Sequence, residues 1–226
     1  FLLNENGGVL DDFIVYHIDT DHFMIVVNAA CRENDFATIA SRLPSGLSFT
    51  DESDAMGKID LQGPGSLAAF ERILPGPWRA MPYFSLVRAQ FDGAPLIVSR
   101  TGYTGEFGFE LYMPTEKTLA LWEACIADPD VEPAGLGARD TLRLEVGLPL
   151  YGQELDADHT PAEAGYGGMI TSTADYVGKA KAMDVREKLI GLSIACRRSA
   201  RHNDPVVLDG RDVGVVVSGS FSPTLG

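Results

Sequence analysis

Cysteine, histidine and phosphate-binding motifs are scarce in this chain of 226 residues. The three cysteines lie far apart, at Cys31, Cys125 and Cys196, and form no Cys-x-x-Cys pair, so the sequence indicates neither a structural zinc site nor a disulfide framework. The four histidines have no metal-ligand spacing. Cys31 and Cys125 stand in apolar contexts and are predicted core thiols. Free cysteines are typical of a reducing compartment, and we expect a cytoplasmic protein without a bound metal.

Basic residues are also few. Lys and Arg number 18 against 32 Asp and Glu, which gives a net charge of −14 and a pI near 4.6. Phosphate binding requires a basic surface, so this balance disfavours nucleic acid and anionic membranes as partners. No apolar run reaches the length of a membrane span. The hydrophobic fraction of 45% is ordinary for a globular protein and suffices for one large domain or two to three small ones.

The most informative segment is Ser99-Arg-Thr-Gly-Tyr-Thr-Gly-Glu-Phe-Gly-Phe-Glu110. Its three glycines permit positive φ and a close approach of the backbone to a ligand. Tyr103 offers a flat face and a hydroxyl group. Glu110 lies in an alternating Phe-Glu-Leu-Tyr run that predicts a strand, where a carboxylate of fixed geometry could accept two N–H bonds from a planar heterocycle such as a pterin. A glycine-rich hairpin with a solvated glutamate is the alternative.

The hydrophobic pattern predicts an α+β fold that ends in a β-rich segment. Turns of the Asp-Gly and Ser-Gly type separate short β-rich runs between residues 185 and 220, which predicts a small barrel or sandwich. These runs are Leu189–Ile194, Val206–Leu208 and Val213–Val217. Predicted strands before that segment cover residues 13–18, 23–28 and 56–61, and predicted helices cover residues 33–43, 66–74, 115–127 and 138–146.

Two adjacent aspartates, Asp11 and Asp12, follow a Gly-Gly turn. Neighbouring side chains on a strand point to opposite faces, so one aspartate could serve a site while the other is solvated or caps the turn. Further along the chain, Arg139 opens a predicted helix. Helix starts prefer acidic residues, so this arginine indicates an anionic partner. Asp140 and Arg143 have the spacing of a surface ion pair.

Four blocks of the chain, taken in order, resemble the T-protein of the glycine cleavage system, a family of tetrahydrofolate-dependent aminomethyltransferases. The blocks are Asn4–Asp12, Ser99–Glu110, Gly135–Glu154 and Ser218–Gly226. The resemblance covers nearly the whole chain. It implies three modules in a cloverleaf-like arrangement around a folate channel, with a C-terminal β-barrel or sandwich module.

Module boundaries follow from the same resemblance. We expect residues 1–53 to be part of the second α+β module, residues 54–155 to be the main folate-binding α+β module, and residues 156–226 to be part of the C-terminal β module. Compared with the family, the chain is expected to lack a segment at each end.

The resemblance also assigns site residues. Asp12 is expected at the reaction centre, because methylene transfer from an aminomethyl sulfur passes through an iminium-like cation that a carboxylate stabilises, and the same group can position or accept a proton. Glu110 is expected to bind the edge of the pterin. The other residues assigned to the folate site are Tyr103, Arg139, Asn28, Tyr83 and Arg201. Without the resemblance, Asn28 could be a strand-end cap, Tyr83 a core or rim residue, and the basic run around Arg201 a solvated face.

The implied activity transfers a methylene group from an aminomethyl-dihydrolipoyl carrier, the lipoylated H-protein, to tetrahydrofolate, giving 5,10-methylenetetrahydrofolate and ammonia. Two alternatives are a folate-dependent demethylase of a small methylated sulfur or nitrogen compound and a non-enzymatic folate-binding accessory protein. The accessory relatives usually carry a Lys-Gly-Cys-type motif, whereas Val177–Ala180 has no cysteine. An acidic carrier would need a local basic patch on this acidic protein. The candidates are Lys179, Lys181, Arg197 and Arg198.

Overall fold

The computed structural model describes residues 1–195 and 198–225, so Cys196 and Arg197 lie outside the described residues. Its strands are β1 (Leu2–Leu3), β2 (Val9–Asp11), β3 (Ile14–Asp19), β4 (His22–Val26), β5 (Met56–Gln62), β6 (Leu86–Phe91), β7 (Ala94–Ser99), β8 (Gly108–Pro114), β9 (Pro205–Leu208) and β10 (Arg211–Val215). Its helices are α1 (Arg32–Arg42), α2 (Ser66–Ile73), α3 (Thr115–Ile126) and α4 (Leu136–Glu145). None of these helices is both long and apolar enough to cross a membrane.

The chain forms two compact units, and one of them is discontinuous in sequence. Unit 1 consists of Phe1–Phe49 and Gly147–Gly226, and unit 2 consists of Thr50–Val146. The predicted division into three modules, with boundaries after residues 53 and 155, remains a prediction.

Unit 2 is built on a four-stranded antiparallel sheet with the strand order β5-β8-β7-β6. Strand β8 is central, and its side chains alternate between two faces. Phe109, Leu111 and Met113 enter the hydrophobic core, which also contains Phe70 of α2 and Leu121 of α3. The residues between them therefore point to the face of the sheet opposite helices α2 and α3, and Glu110 and Tyr112 are buried there as well.

Unit 1 contains two separate hairpins and a small apolar core. Strand β3 pairs with β4, and β9 pairs with β10. Strands β1 and β2 pair with each other at the start of the chain. The core residues come from both ends of the unit: Leu3, Val9, Leu155, Ala164 and Ala182.

A backbone contact at Gly8 joins the two segments of unit 1. A Cβ atom at Gly8 would lie 1.8 Å from the carbonyl oxygen of Ala157, so only glycine fits at this position. The amide of Val9 donates to the carbonyl of Asp156 at 2.8 Å, and the side chain of Asn4 donates to the carbonyl of Ala157 at the same distance. The Gly-Gly turn seen in the sequence is therefore required by close packing.

The sequence-based α+β prediction is confirmed, and most elements lie close to their predicted bounds. The hairpin predicted over residues 13–28 is β3 and β4. The prediction is wrong for Leu189–Ile194, where the structure has no strand. A strand exists only through its pairing, and this apolar run has no paired segment among the described residues.

Candidate functional site

Glu110 is a buried carboxylate on the face of the unit 2 sheet opposite helices α2 and α3. Its neighbours Phe109 and Leu111 are directed into the core, so Glu110 points to the other side of β8, where it is 4% exposed. Its Oε2 atom accepts hydrogen bonds from the hydroxyl groups of Thr101, at 2.5 Å, and Tyr112, at 3.0 Å. The sheet register thus places one carboxylate among fixed hydroxyl donors.

Lys58 of β5 provides the counter-charge. Its Nζ lies 2.5 Å from Oε1 of Glu110 and 3.3 Å from Oδ1 of Asp60. Burial by itself would raise the pKa of Glu110, but the charge and hydrogen bonds of Lys58, with those of the hydroxyl donors, outweigh it and lower that pKa. Burial opposes the charge of Lys58 as well, yet Asp60 and Glu110 together raise its pKa. Both partners are therefore charged at neutral pH.

The ion pairs continue from Asp60 to the start of α4. Arg139 NH1 lies 2.7 Å from Oδ2 of Asp60, and the guanidinium group stands 5.0 Å from the centre of the Tyr103 ring. Glu110, Lys58, Asp60, Arg139 and Tyr103 form one connected set, the Glu110 cluster. The anionic partner that the sequence indicated for Arg139 is Asp60.

Unit 1 holds a second polar site around Asn28, which directly follows the β3–β4 hairpin. The Asn28 amide nitrogen of the backbone donates to Oδ2 of Asp11 at 3.0 Å, and its side-chain Nδ2 donates to Oδ1 of Asp11 at 2.7 Å. The same Nδ2 lies 3.2 Å from Oδ1 of Asp12 and 3.1 Å from its carbonyl oxygen. Asn28 therefore bridges the two adjacent aspartates.

Asp11 and Asp12 have different environments, as the alternation predicted, but not the expected ones. Asp11 is fully buried, whereas Asp12 is partly exposed. The expectation that the partner of Asp12 is solvated or caps the turn is wrong, because both oxygens of Asp11 receive donors from Asn28 inside the unit. Burial, followed by the charge of Asp11, raises the pKa of Asp12.

Asp11 belongs to a set of ionisable side chains in unit 1, here called the buried acid cluster: the buried Asp11, Cys31 and Asp35 and the half-buried Tyr151. One carboxylate oxygen each from Asp11 and Asp35 and the sulfur atom of Cys31 all lie within 4.8 Å of one another. The Cys31 thiol has hydrogen-bonding contacts with Asp11 and Tyr151, and burial followed by the charge of Asp11 raises its pKa to about 12. Cys31 and Cys125 are both buried, which confirms the core-thiol prediction. The absence of a metal remains a prediction.

Comparison with known proteins identifies the family. Residues 1–173 match the family model described as the GCVT N-terminal domain, and residues 187–226 match that of the glycine cleavage T-protein C-terminal barrel domain. The chain belongs to the glycine cleavage T-protein family. The family predicted from the sequence blocks is thereby confirmed.

Individual T-protein relatives match across the chain. An aminomethyltransferase of Exiguobacterium sibiricum is 39% identical over 231 residues, which cover 100% of this chain and 64% of the relative. An aminomethyltransferase of Synechococcus sp. (strain RCC307) is 41% identical, with 99% of this chain and 64% of the relative covered. The crystal structure of the glycine cleavage system aminomethyltransferase T from Bartonella henselae superposes with a TM-score of 0.89 at 32% identity, covering 99% of this chain and 63% of that one. The chain spans about 64% of the length of the curated relatives it matches.

The T-protein site residues predicted from the sequence fall into three groups. Glu110, Tyr103 and Arg139 meet in the Glu110 cluster, and Asp12 meets Asn28 in unit 1. Two residues lie in neither group. Tyr83 is 61% exposed, its ring packs edge-on against Phe84, and the Arg100 guanidinium stands 5.7 Å from that ring. Arg201 is exposed, and its backbone amide donates to Asp204 at 2.8 Å.

Several T-protein residues of the two sites were missed by the sequence reasoning. Lys58 and Asp60 alternate with the core residues Ile59 and Leu61 on β5, so two opposite charges on one strand face were the available signal. Asp35 gave no signal, because a single acid near a helix start is ordinary. The interpretation of Asp140 and Arg143 as a surface pair is wrong, since the Arg143 side chain is 2% exposed.

Proposed function

We propose that the chain carries the binding and reaction residues of an aminomethyltransferase that moves a methylene group from an aminomethyl-dihydrolipoyl carrier to tetrahydrofolate, with release of ammonia and formation of 5,10-methylenetetrahydrofolate. The observation that carries this proposal is identity of about 40% with proteins named aminomethyltransferase over almost every residue of the chain. The arrangement of charges in each unit supports it independently.

The Glu110 cluster has the chemistry that a pterin requires. The ionised carboxylate of Glu110 suits the 2-amino and N3–H donors of the ring, since charge-assisted bidentate pairs are the strong ones. Tyr103 offers its ring face, and Arg139 offers a cation to the anionic parts of a folate. The hydroxyl groups of Thr101 and Tyr112 already donate to Oε2 of Glu110 and Lys58 contacts Oε1, so a bidentate fit requires a hydroxyl donor to yield and Lys58 to move aside. Its side chain is 33% exposed and has solvent into which it can turn.

Asp12 has the properties of a reaction-centre carboxylate. Burial and the neighbouring charge of Asp11 raise its pKa above the ordinary value of an aspartate, which makes the group a better proton acceptor. Its partial exposure leaves it accessible, and Asn28 fixes one of its oxygens. The reduced folate supplies the amine nitrogens that take up the one-carbon unit. Asp12 would hold or accept the amine proton and stabilise positive charge on the donor.

The donor partner we propose is the lipoylated H-protein, and the location we propose is the cytoplasm. Within the predicted basic patch, the ammonium group of Lys179 donates to the carbonyl oxygens of Thr173 and Ala174, and that of Lys181 donates to Oδ1 of Asn6. Both lysines are exposed. Arg198 belongs to the same predicted patch, and Arg197 lies outside the described residues.

The test is a reconstituted transfer assay. The purified protein is mixed with an aminomethylated lipoyl carrier and tetrahydrofolate, and ammonia and 5,10-methylenetetrahydrofolate are measured together. We expect equal amounts of the two products, dependent on both reactants, and near-complete loss in Asp12→Asn but not in the exposed control Asp21→Asn. Turnover of a small methylated donor without any response to the lipoyl carrier would replace this proposal with the demethylase function. Folate binding without turnover of either donor would indicate an accessory protein.

A further inference from the structure

Asp35 is an acid without a donor. It lies in the first turns of α1 and is 1% exposed, and no protein N–H or O–H group in the described part of the chain donates to either of its side-chain oxygens. Asp11, its neighbour, has donors on both oxygens. An ionised carboxylate buried in this way costs several kcal/mol, about as much as any uncompensated buried charge. Asp35 therefore needs a proton or a cation.

The contact between Asp35 and Asp11 indicates that Asp35 takes a proton and not a cation. The side chains of Asp35 and Asp11 are within hydrogen-bonding contact, and Asp11 is the charged group that acts on Asp35. Two carboxylates in contact cannot both ionise easily, but a single proton between them forms a short O–H···O⁻ bond and leaves one negative charge instead of two. The remaining negative charge lies on Asp11, whose two oxygens already accept hydrogen bonds from Asn28.

We propose that Asp35 is a positioning residue of the reaction site: it shares one proton with Asp11, and the resulting carboxyl–carboxylate pair holds Asn28 and, through it, Asp12 in place. The role of Asp12 rests on the proposed function, whereas the shared proton does not. The buried pair holds Asn28 through Asp11, and the side-chain amide of Asn28 donates to both Asp11 and Asp12.

The surroundings favour a proton over a second negative charge. The ionisable side chains facing the pair are the Cys31 thiol and the Tyr151 hydroxyl, both neutral at physiological pH, together with the Asp12 carboxyl group. Burial and the hydrogen bond to Asp11 raise the pKa of Asp35 to about 7. Loss of the proton would place two negative charges in contact and drive the carboxylates apart, which would loosen Asn28.

Two substitutions separate positioning from mere packing. Asp35→Asn keeps the shape and supplies a permanent N–H donor to Asp11, as the protonated carboxyl does. Asp35→Ala removes the donor and leaves Asp11 alone. Asp21→Asn, in the exposed β3–β4 turn, is the matched control.

The direct measurement is the carboxyl-carbon NMR titration of the purified protein with labelled aspartate. We expect one aspartate to titrate near neutrality in the wild type and in Asp21→Asn, and that transition to disappear in Asp35→Asn. Calorimetric titration with zinc, manganese and calcium should give no binding that depends on Asp35. A transition near neutrality that survives in Asp35→Asn, or metal binding that Asp35→Asn abolishes, would overturn the shared proton.

The pH profile of the transfer reaction tests positioning. We expect wild-type kcat to fall as the pH rises through about 7, the Asp35→Asn profile to flatten over that range, and Asp35→Ala to lose about tenfold or more at every pH, since small misplacements of a reacting group are costly. Equal losses in both variants with an unchanged profile would leave Asp35 a packing residue only. An inactive wild type would contradict the proposed function, while the NMR titration would still decide the proton.

Discussion

Lys58 lies in contact with Glu110, with 2.5 Å between Nζ and Oε1, so the carboxylate assigned to the pterin is already engaged by a lysine of the protein. The two residues are joined across neighbouring strands, β5 and β8, whose register sets Lys58 opposite Tyr112. The proposed binding of folate at Glu110 would require an exchange of partners at this carboxylate, whose ionised form Lys58 stabilises.

Replacing Lys58 should make folate binding dependent on pH. In Lys58→Met the largest of the effects that lower the Glu110 pKa is lost, and only the hydrogen bonds of Thr101 and Tyr112 still oppose burial, so Glu110 takes up a proton more readily as the pH falls and loses affinity for the pterin donors. We expect calorimetric affinity for tetrahydrofolate to decline from pH 8 to pH 5.5 in this variant and to stay nearly constant in the wild type. Lys117→Met, which removes an exposed ion pair with Asp92, is the control. Equal pH dependence of folate affinity in all three proteins would show that Lys58 does not control the charge of Glu110.

Removing the carboxylate itself should weaken folate binding at every pH. Glu110→Ala is expected to cost about 1–3 kcal/mol of binding free energy, the range for leaving a buried partner unpaired. The control is Glu116→Ala on the exposed start of α3. Calorimetric titration checks the difference, and unchanged affinity in Glu110→Ala would remove the pterin-anchor assignment.

The two adjacent aspartates should fail in different ways. Asp12→Asn is expected to keep folate binding and stability but lose most turnover, because the amide keeps the shape and removes the charge. Asp11→Asn replaces an oxygen that accepts from Asn28 with an NH₂ group, so we expect a loss of about 1–3 kcal/mol in the free energy of unfolding. Urea unfolding and transfer kinetics, measured on both variants, separate the two effects. A stable, active Asp11→Asn protein would show that the Asn28 bonds contribute little.

Asp35 should give the protein a pH-dependent stability. Its folded pKa of about 7 lies above its ordinary value of 3.8, so the folded state binds more protons, and the contribution is complete below pH 4 and lost as the pH rises through 7. The slope for one proton is at most about 1.4 kcal/mol per pH unit. We expect the difference in urea midpoint between wild type and Asp35→Asn to change between pH 5 and pH 8, with the variant gaining at the higher pH. A constant difference would mean that Asp35 does not titrate there.

Carrier docking should depend on charge and salt. Reversing Lys179 and Lys181 to glutamate is expected to slow carrier-dependent turnover, since two net-negative proteins need a local basic patch to associate. The wild-type rate should fall as ionic strength rises, because exposed charges are screened. Lys117→Glu in unit 2 is the control for added negative charge. Carrier-dependent rates that respond equally to both reversals would show that net charge, and not this patch, is responsible.

The sequence was sufficient to predict an element where its hydrophobic pattern is compatible with only one type of secondary structure. The alternation in β3 and β4 and the helical spacing in α1 specify those elements, and Glu110 could be placed on a strand because Phe109 and Leu111 flank it. Residue pairs that meet only through sheet register were not predictable without the partner strand. Lys58 meets Glu110 in this way, across 52 positions of sequence.

Burial of charge was the other limit. Asp11 and Asp12 are the same residue type in adjacent positions, and the sequence alone does not show which of them is buried; in the structure it is Asp11. The same applies to Leu189–Ile194, whose β-type composition produces no strand because no described segment pairs with it. The residue type indicates which environments a side chain can occupy, whereas its burial and strand pairing depend on distant parts of the chain.

The close fit of Gly8 against Ala157 also has a consequence for the nascent chain. Asn4 and Ala157 are 153 positions apart, so the opening segment leaves the ribosome long before its structural partner exists. At roughly 5–20 residues per second this wait is roughly 8–30 s, during which Leu3 and Val9 lack their core partners Leu155, Ala164 and Ala182. Unit 2, which is continuous in sequence, can complete its fold within that interval. The buried acid cluster, which includes Tyr151, can therefore close only after every residue of the Glu110 cluster has been synthesised.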